Sequence, residues 1–234
     1  MKALIVEDSR LARKDLVELL KSYPEIEIVE QAANANDAYS IITKENIDLI
    51  FLDINLPGKN GFDLLEMLDT VPLVIFTTAY DEYAIKAYEY NALDYLLKPI
   101  KPEMLSRAVA KAVKTFEKEK PSDSILLKRV FIKDGMKCWL VNLSDIIAFE
   151  SEGNYSRVHF ENNKPLIYKS LNMIEEKVDP AIFFRANRKQ IINLNYIKSV
   201  KEGIANTLKI TMSNELVIEV SRRNTHKFKS LLSF

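Results

Sequence analysis

The chain has few of the residues that form disulfides or histidine metal sites. Its 234 residues include one cysteine, Cys138, and two histidines, His159 and His226. One cysteine excludes an internal disulfide and fits a reducing compartment, and two histidines disfavour a histidine-rich metal site. No stretch reaches the ~18 uninterrupted apolar residues of a membrane span, and the start MKALIVEDSR lacks a signal-peptide pattern. These absences predict a soluble, cytoplasmic protein without a membrane partner.

A net charge of zero hides two halves of opposite sign. Residues 1–120 carry 15 Lys and Arg against 21 Asp and Glu, hence −6, and residues 121–234 carry 18 against 12, hence +6. Opposite signs predict different partners for the two halves. Between them TFEKEKPSDS is charged and polar and contains a proline, which predicts a linker at 120–124 between domains 1–119 and 125–234.

Strand-like and helix-like segments alternate in the first half. The strand-like segments are short and apolar: ALIV, EIEIV, IDLIFLDI, VPLVIF and ALDYLL. Alternation of helices with strands this apolar predicts a doubly wound α/β domain, a five-stranded parallel sheet covered on both faces. Such sheets place their sites at the carboxyl ends of the strands.

Polar side chains stand at the carboxyl ends of four of these strands: Glu7-Asp8, Asp53, Thr77-Thr78 and Lys98-Pro99. Three carboxylates in one place repel each other unless a cation lies among them, and Mg²⁺ prefers carboxylates, waters and phosphate oxygens. An aspartate beside Mg²⁺ and a lysine can attack phosphorus and form an aspartyl phosphate. We therefore predict Asp53 as a phosphoacceptor, with the lysine and a threonine hydroxyl contacting the phosphoryl oxygens.

Residues 1–119 resemble a response-regulator receiver domain, which has a flavodoxin-like fold. The resemblance rests on matching residues in matching order: Glu7, Asp8, Asp53, Asn55, Thr78 followed by Ala79, Tyr95, and Lys98 before Pro99. It implies a Mg²⁺ site formed by Glu7, Asp8, Asp53 and the carbonyl of Asn55. It also implies that Thr78 and Tyr95 are switch residues, that Lys98 contacts the phosphate, and that the Lys98–Pro99 bond is cis.

The same resemblance implies a partner and a response. A sensor histidine kinase supplies the phosphoryl group, Thr78 moves toward it, and Tyr95 rotates inward, which repacks one face of the domain and favours a homodimer. A Mg²⁺-dependent phosphatase of the haloacid-dehalogenase type is an alternative, because FLDIN resembles its nucleophile loop. That family needs a second Asp where this chain has Asn55, so we expect no enzyme activity on a substrate.

The second half has the pattern of an antiparallel β domain. Strand-like segments such as VFIKDG, IIAFESE, SRVHFEN and ELVIEV are separated by turn signals. Two helices are predicted, SLNMIEEKV with Ser170 as cap and Ile174 facing inward, and SRRNTHKFKSLLSF. No helix-turn-helix, zinc or basic-zipper pattern is present in the sequence. Cations nevertheless cluster in three loop-like segments: NYSR, RANRKQ and SRRN.

Residues 125–234 resemble a LytTR-type DNA-binding domain, in the segments around IIAFESEGNYSRVHF, FFRANRKQIINLNYIKSV and ELVIEVSRRN. The resemblance implies an all-β fold whose loops enter the major grooves of promoter DNA at direct repeats. It implies these DNA contacts: Tyr155, Ser156, Arg157, Arg188, Lys189, Arg222 and Arg223. Asn187 and Lys189 replace the His and Ser common in this family, and Asn193 is expected to be a structural hydrogen-bonding residue. A domain that binds RNA or protein is the alternative output.

Overall fold

The computed structural model describes residues 1–79, 92–119, 129–135, 137–203 and 207–232. The chain divides into two compact units, Met1–Val141 and Asn142–Phe234. Within the described ranges, no helix is both long enough and apolar enough to cross a membrane. The predicted linker at 120–124, and Tyr80, Tyr83, Tyr88 and Tyr90 of the helix predicted after the fourth strand, lie outside these ranges.

A parallel sheet of five strands forms the centre of the first unit, as predicted. Its strands are β1 (Lys2–Val6), β2 (Glu27–Ala32), β3 (Leu49–Asp53), β4 (Leu73–Thr78) and β5 (Asp94–Leu97), in the order β2-β1-β3-β4-β5. Every residue of β3 and β4 is buried, because helices cover both faces of the sheet. The chain order reverses between β1 and β3, and their carboxyl ends carry Glu7 and Asp53 beside each other.

Four helices of the first unit are described: α1 (Arg10–Leu20), α2 (Ala35–Lys44), α3 (Gly61–Met67) and α4 (Pro102–Glu119). Polar residues cap three of them, since the side-chain oxygens of Ser9, Asn34 and Asn60 each accept a hydrogen bond from a backbone N–H of the first turn. The helices bury apolar residues in two clusters, one including Leu4, Leu52 and Phe76 and the other Ile5, Phe51 and Ile75. Alternate residues of each strand thus face opposite layers.

A hairpin also belongs to the first unit apart from its last residue: β6 (Arg129–Asp134) and β7 (Lys137–Asn142). Cys138 and Leu140 of β7 are buried in the same apolar cluster as Phe62 of α3. The backbone N–H of Val71 donates to the carbonyl of Arg129 at 2.9 Å. The hairpin therefore packs on the first unit, although its sequence lies within the predicted domain 125–234.

The second unit is mainly antiparallel β structure, which confirms the predicted class. One sheet has the order β10-β9-β8-β12-β11, formed by β8 (Ile146–Glu152), β9 (Tyr155–Phe160), β10 (Leu166–Ile167), β11 (Phe183–Asn187) and β12 (Gln190–Asn193). A second sheet joins β13 (Ile197–Glu202), β14 (Leu208–Met212) and β15 (Val217–Val220).

Two helices pack in this unit, α5 (Leu171–Glu175) and α6 (Arg222–Leu232). Ser170 caps α5 and Ile174 is buried, as predicted. Phe184 of β11 contacts Phe228 of α6 with ring centroids 5.3 Å apart, in an apolar cluster that also contains Ile210 and Ile218 of the three-stranded sheet. This cluster fixes α6 and the three-stranded sheet against the strands that bear the predicted DNA-contact loops.

Candidate phosphoacceptor site and nucleic-acid interface

The three predicted acidic residues meet at the carboxyl ends of β1 and β3. Each of Glu7, Asp8 and Asp53 offers a carboxylate oxygen, and these oxygens lie within 4.8 Å of one another. Asp8 is exposed, whereas Glu7 and Asp53 are buried. Oxygen donors at this spacing suit a hard divalent cation such as Mg²⁺, so the residues present fit the predicted metal.

Lys98 joins this group from the end of β5. Its Nζ donates to Asp53 Oδ2 at 2.6 Å and to the carboxylate of Glu7. Burial disfavours the charged ammonium, but the hydrogen bonds and charges of Asp53 and Glu7 outweigh it, and the pKa of Lys98 is raised. Burial also raises the pKa of Glu7, and the contact with Lys98 offsets part of that rise. The ammonium thus lies where a phosphoryl group on Asp53 would need a cation.

The loop after β3 holds Asp53 by backbone contacts. The N–H of Asn55 donates to Asp53 Oδ1 at 3.1 Å. Gly61 begins α3, and a Cβ added there would lie 2.6 Å from the carbonyl oxygen of Asp53. Glycine therefore allows α3 to begin directly against the end of β3. Asn, Pro and Gly in residues 55–61 favour a loop, but its close approach to Asp53 depends on the register of β3 and α3.

The predicted switch residues lie on neighbouring strands. Thr77 and Thr78 end β4 and are buried, and the Thr78 carbonyl accepts from the N–H of Lys98 at 2.8 Å. The Tyr95 ring on β5 lies 6.3 Å from that of Phe76 on β4. The Lys98–Pro99 peptide is cis, as predicted.

The predicted DNA contacts of the second unit fall into exposed and buried groups. Arg188, Lys189, Arg222 and Arg223 are exposed, the first two in the turn between β11 and β12 and the others at the start of α6. The Tyr155 side chain is 47% exposed and contacts the exposed ring of Tyr168. The described part of the second unit thus presents cations and an aromatic ring, as base and phosphate contacts require.

Ser156 and Arg157 differ from this exposed group. Ser156 is fully buried and its hydroxyl donates to the carbonyl of Lys169 at 2.6 Å, so it is not placed to contact DNA. Strand alternation explains this, because Ser156 faces the sheet side opposite to its neighbours in β9. Arg157 donates to the carboxylate of Glu152, and at 2.9 Å to the carbonyl of Lys164. Its guanidinium must leave Glu152 to bind a phosphate.

The structure also reveals supporting residues among the polar ones. Asn193 is buried and donates to the carbonyls of Ser144 and Ile146 at 2.9 Å, which confirms its structural role. Arg185 and Asn187 bond to the backbone of the turn that carries Arg188 and Lys189. The RANRKQ segment groups Arg185 with the cations of this loop, and only the contacts of Arg185 distinguish it from them.

Comparisons with known proteins cover nearly the whole chain. A model of the response regulator receiver domain matches residues 3–110, and a model of the LytTr DNA-binding domain matches residues 136–233. The transcriptional regulatory protein LytR of Staphylococcus aureus (strain MW2) is 31% identical over 241 residues, covering 98% of both chains. The chain is a LytTR-type response regulator. The sensory transduction protein LytT of Enterococcus faecalis (strain ATCC 700802 / V583) is also 31% identical, over 99% of both chains.

Solved structures similar to this response regulator each cover about half of it. The response regulatory domain of mrkE from Klebsiella pneumoniae is 33% identical over 50% of the regulator, with a TM-score of 0.47. The LytTr DNA-binding domain of a putative methyl-accepting/DNA response regulator from Bacillus cereus is 25% identical over 45%, with a TM-score of 0.43.

The two domains define what the regulator does in general. It is a phosphorylation-controlled, DNA-binding transcriptional regulator, and its receiver domain implies a histidine kinase partner. The LytTR match begins at residue 136, so β7 lies inside it while the hairpin packs in the first compact unit. The domain boundary at 120–124 stays a prediction.

Proposed function

We propose that Asp53 is the phosphoacceptor of this regulator, and that Glu7, Asp8, Asp53 and the Asn55 carbonyl hold Mg²⁺ there. The observation that carries this proposal is the 2.6 Å contact between Lys98 Nζ and Asp53 Oδ2 inside the cluster of three acids. Bound Mg²⁺ supplies positive charge that offsets the phosphoryl oxygens as they approach the acids.

The transfer itself uses one oxygen of Asp53. This carboxylate oxygen attacks the phosphorus of a phosphohistidine on the kinase, the P–N bond breaks, and the imidazole leaves with the bonding pair. The ammonium of Lys98, which contacts the Asp53 carboxylate before the transfer, then contacts a phosphoryl oxygen. The hydroxyl of Thr78 donates a hydrogen bond to a second phosphoryl oxygen, and Tyr95 turns into the space that Thr78 vacates. Repacking of this face favours a homodimer, which presents two DNA-binding domains to direct repeats.

Small-molecule phosphorylation tests the acceptor residue. The full chain is incubated with acetyl phosphate and Mg²⁺, and labelling is followed by the shift in a phosphate-affinity gel. Asp53→Ala and the isosteric Asp53→Asn are expected to abolish labelling, because both remove the carboxylate that would accept the phosphoryl group. Among the described residues, the other carboxylate bonded to Lys98 is that of Glu7. Asp15→Asn, an exposed acid on α1, is the matched control and keeps wild-type labelling. Retained labelling in both Asp53 variants would disprove the assignment.

The DNA interface is proposed to consist of Tyr155, Arg157, Arg188, Lys189, Arg222 and Arg223. Exposure of the four turn and helix cations supports this set, and burial removes Ser156 from it. Half-sites are expected about 10–10.5 bp apart or at multiples, so that both domains meet the same side of the duplex. Affinity is expected to fall steeply with salt, because each phosphate contact releases a counterion.

Selection from a random DNA library tests both DNA binding and its dependence on phosphorylation. The full chain is used with and without beryllium fluoride plus Mg²⁺, which mimic the phosphoryl group. Enrichment of a tandem repeat with the mimic supports phosphorylation-dependent dimeric binding, whereas equal enrichment in both arms removes the gating. Failure of both arms would favour RNA or protein as the ligand of the second domain.

A further inference from the structure

Hydrogen bonds to the backbone connect the exposed pair Arg188–Lys189 to the exposed pair Arg222–Arg223. The backbone N–H of Ser221, directly before α6, donates to the carbonyl of Ala186 at 2.9 Å. Asn224, in the first turn of α6, donates from Nδ2 to the carbonyl of Arg185 at 2.8 Å. These bonds connect the helix start that carries Arg222 and Arg223 to the strand that leads into the turn bearing Arg188.

The side chain of Arg185 also holds the turn that carries Arg188 and Lys189. Its Nε donates to the carbonyl of Asn187 at 2.7 Å and its Nη2 to the carbonyl of Arg188 at 2.8 Å. Its Nη1 donates to Glu175 at the end of α5 at 3.1 Å. The guanidinium side chain is only 18% exposed. A single planar fork therefore holds both carbonyls of the turn at set positions, which a lysine ammonium could not reproduce.

The side chain of Asn187 connects this turn to neighbouring strands. Its Oδ1 accepts from the N–H of Lys189 at 2.7 Å, and its Nδ2 donates to the carbonyl of Glu219 on β15 at 2.8 Å. The same Nδ2 donates to Gln190, whose own amide donates to Glu150 on β8 at 3.0 Å. The turn is thus attached to α5, α6, β8 and β15.

We propose that Arg185 and Asn224 are positioning residues for DNA recognition, which fix the spacing between the Arg188–Lys189 turn and the Arg222–Arg223 helix start. The proposal rests on the proposed DNA interface, since it assigns no DNA contact to Arg185 or Asn224 themselves. Binding orders fewer backbone degrees of freedom when the cations are already at the right distance. Sequence-specific binding requires that distance, whereas non-specific attraction to phosphates depends mainly on the number of charges.

Two variants separate positioning from contact. Asn224→Ala removes the side-chain donor but keeps a good helix former, and Arg185→Lys keeps the charge but cannot bond both carbonyls. Binding of the full chain to the selected repeat and to a scrambled duplex is measured by fluorescence anisotropy across a salt series. Specific affinity is expected to fall about 2- to 12-fold, the range that corresponds to the loss of one internal hydrogen bond. Scrambled-duplex affinity and the salt slope are expected to stay at the wild-type values.

A double-mutant cycle with Arg188→Ala gives a readout that a general structural defect does not. If Asn224 acts through the turn, Asn224→Ala adds little to the loss caused by Arg188→Ala. If Asn224 contacts DNA directly, the two losses multiply and the positioning role is overturned. Asn162→Ala, exposed at the opposite end of β9 from Tyr155, is the control and keeps wild-type affinity.

The same measurements distinguish the two proposals. A wild-type chain that binds the selected repeat no better than the scrambled duplex overturns the proposed interface. If the wild-type chain prefers the selected repeat and both variants bind it with wild-type affinity, only the positioning role is overturned. Thermal melting of each variant is followed in parallel; should Asn224→Ala melt early, Arg185→Lys, at unchanged charge, decides the matter by its specific affinity and salt slope.

Discussion

The ring of Phe131 on β6 lies almost parallel to that of Phe62 on α3, with centroids 6.2 Å and planes 14° apart. Phe62 in turn lies 5.3 Å from Phe76 on β4, whose ring contacts Tyr95. Beside this stack Lys133 pairs with Asp63 at 3.4 Å and with Glu66 at 3.2 Å. The hairpin is therefore attached to α3, the helix that begins after the loop following Asp53, and ring contacts continue from Phe62 through Phe76 to Tyr95, the predicted switch tyrosine.

Removing the Phe131 ring is expected to destabilise the first unit. Because Phe131 is partly exposed, we expect Phe131→Ala to lower the free energy of unfolding by about 1–3 kcal/mol, less than for a fully buried phenylalanine. Urea unfolding of the full chain, followed by the circular dichroism of the first transition, measures the loss. Phe131→Leu keeps much of the apolar contact and should lose clearly less. An Ala variant as stable as wild type would show that the hairpin contributes no packing energy.

Cys138 reports on the same packing without any engineered label. The thiol, on β7 of the hairpin, is buried against the first unit's apolar cluster, and burial raises its pKa to about 11. Because the thiolate is the reactive form, alkylation by iodoacetamide at pH 8 is expected to be slow in the native protein and fast in urea. Phe131→Ala should accelerate native alkylation, and Asn162→Ala in the second unit should not. Native alkylation as fast as in urea would contradict the docked hairpin.

The hairpin also shows what sequence could and could not predict. VFIKDG and KCWLVNL have the alternation of half-buried strands, so their existence was predictable, but alternation does not identify the surface that covers them. The grouping of Glu7, Asp8 and Asp53 was predictable because parallel strands bring their carboxyl ends together. The burial of Ser156 could not be predicted from the NYSR segment, because Ser156 lies in β9, where alternate residues face opposite sides. The role of Arg185 depends on carbonyls two and three residues along, which follow from the turn and not from composition.

Gly61 is expected to tolerate no larger side chain. A Cβ at this position would lie 2.6 Å from the carbonyl oxygen of Asp53 and 3.2 Å from Cα of Ile54, both backbone atoms. Gly61→Ala should therefore shift α3 away from β3, costing about 1–3 kcal/mol of stability and slowing labelling by acetyl phosphate. Gly58 has φ +78° with nothing within 4 Å of an added Cβ, and asparagine accepts this left-handed conformation. Gly58→Asn is the comparison and should lose less; an equal effect would reject the close approach as the cause.

Lys98→Met is expected to separate metal binding from phosphorylation. Without the ammonium, Glu7 and Asp53 lose their shared partner, so a divalent cation is held more tightly at the acids. We expect Mn²⁺ affinity, measured by electron paramagnetic resonance, to rise by about tenfold, while acetyl phosphate labelling falls. Lys59→Met, in the exposed loop after Asp53, is the matched control. Unchanged Mn²⁺ affinity in Lys98→Met would place the cation away from these carboxylates.

His159 is expected to make the second unit sensitive to mild acid. Its ring is buried on β9, and neither nitrogen has a hydrogen-bond partner among the described residues, although Nε2 lies 3.4 Å from Glu150 Oε2. Burial lowers its pKa below 6.5, and the charges of Lys164 and Arg157 lower it further, against the opposing effect of Glu150.

The sign of the pH dependence follows from this depressed pKa. Between the native pKa and 6.5 the unfolded chain binds more protons than the folded one, so stability rises with pH. The contribution is complete above the unfolded pKa and is lost as pH falls below it. Urea midpoints of the second unit measured from pH 7.5 to pH 5 should therefore fall in wild type and fall less in His159→Gln. His226→Gln, an exposed histidine on α6, should retain the wild-type dependence; identical slopes in His159→Gln and wild type would show that another group is responsible.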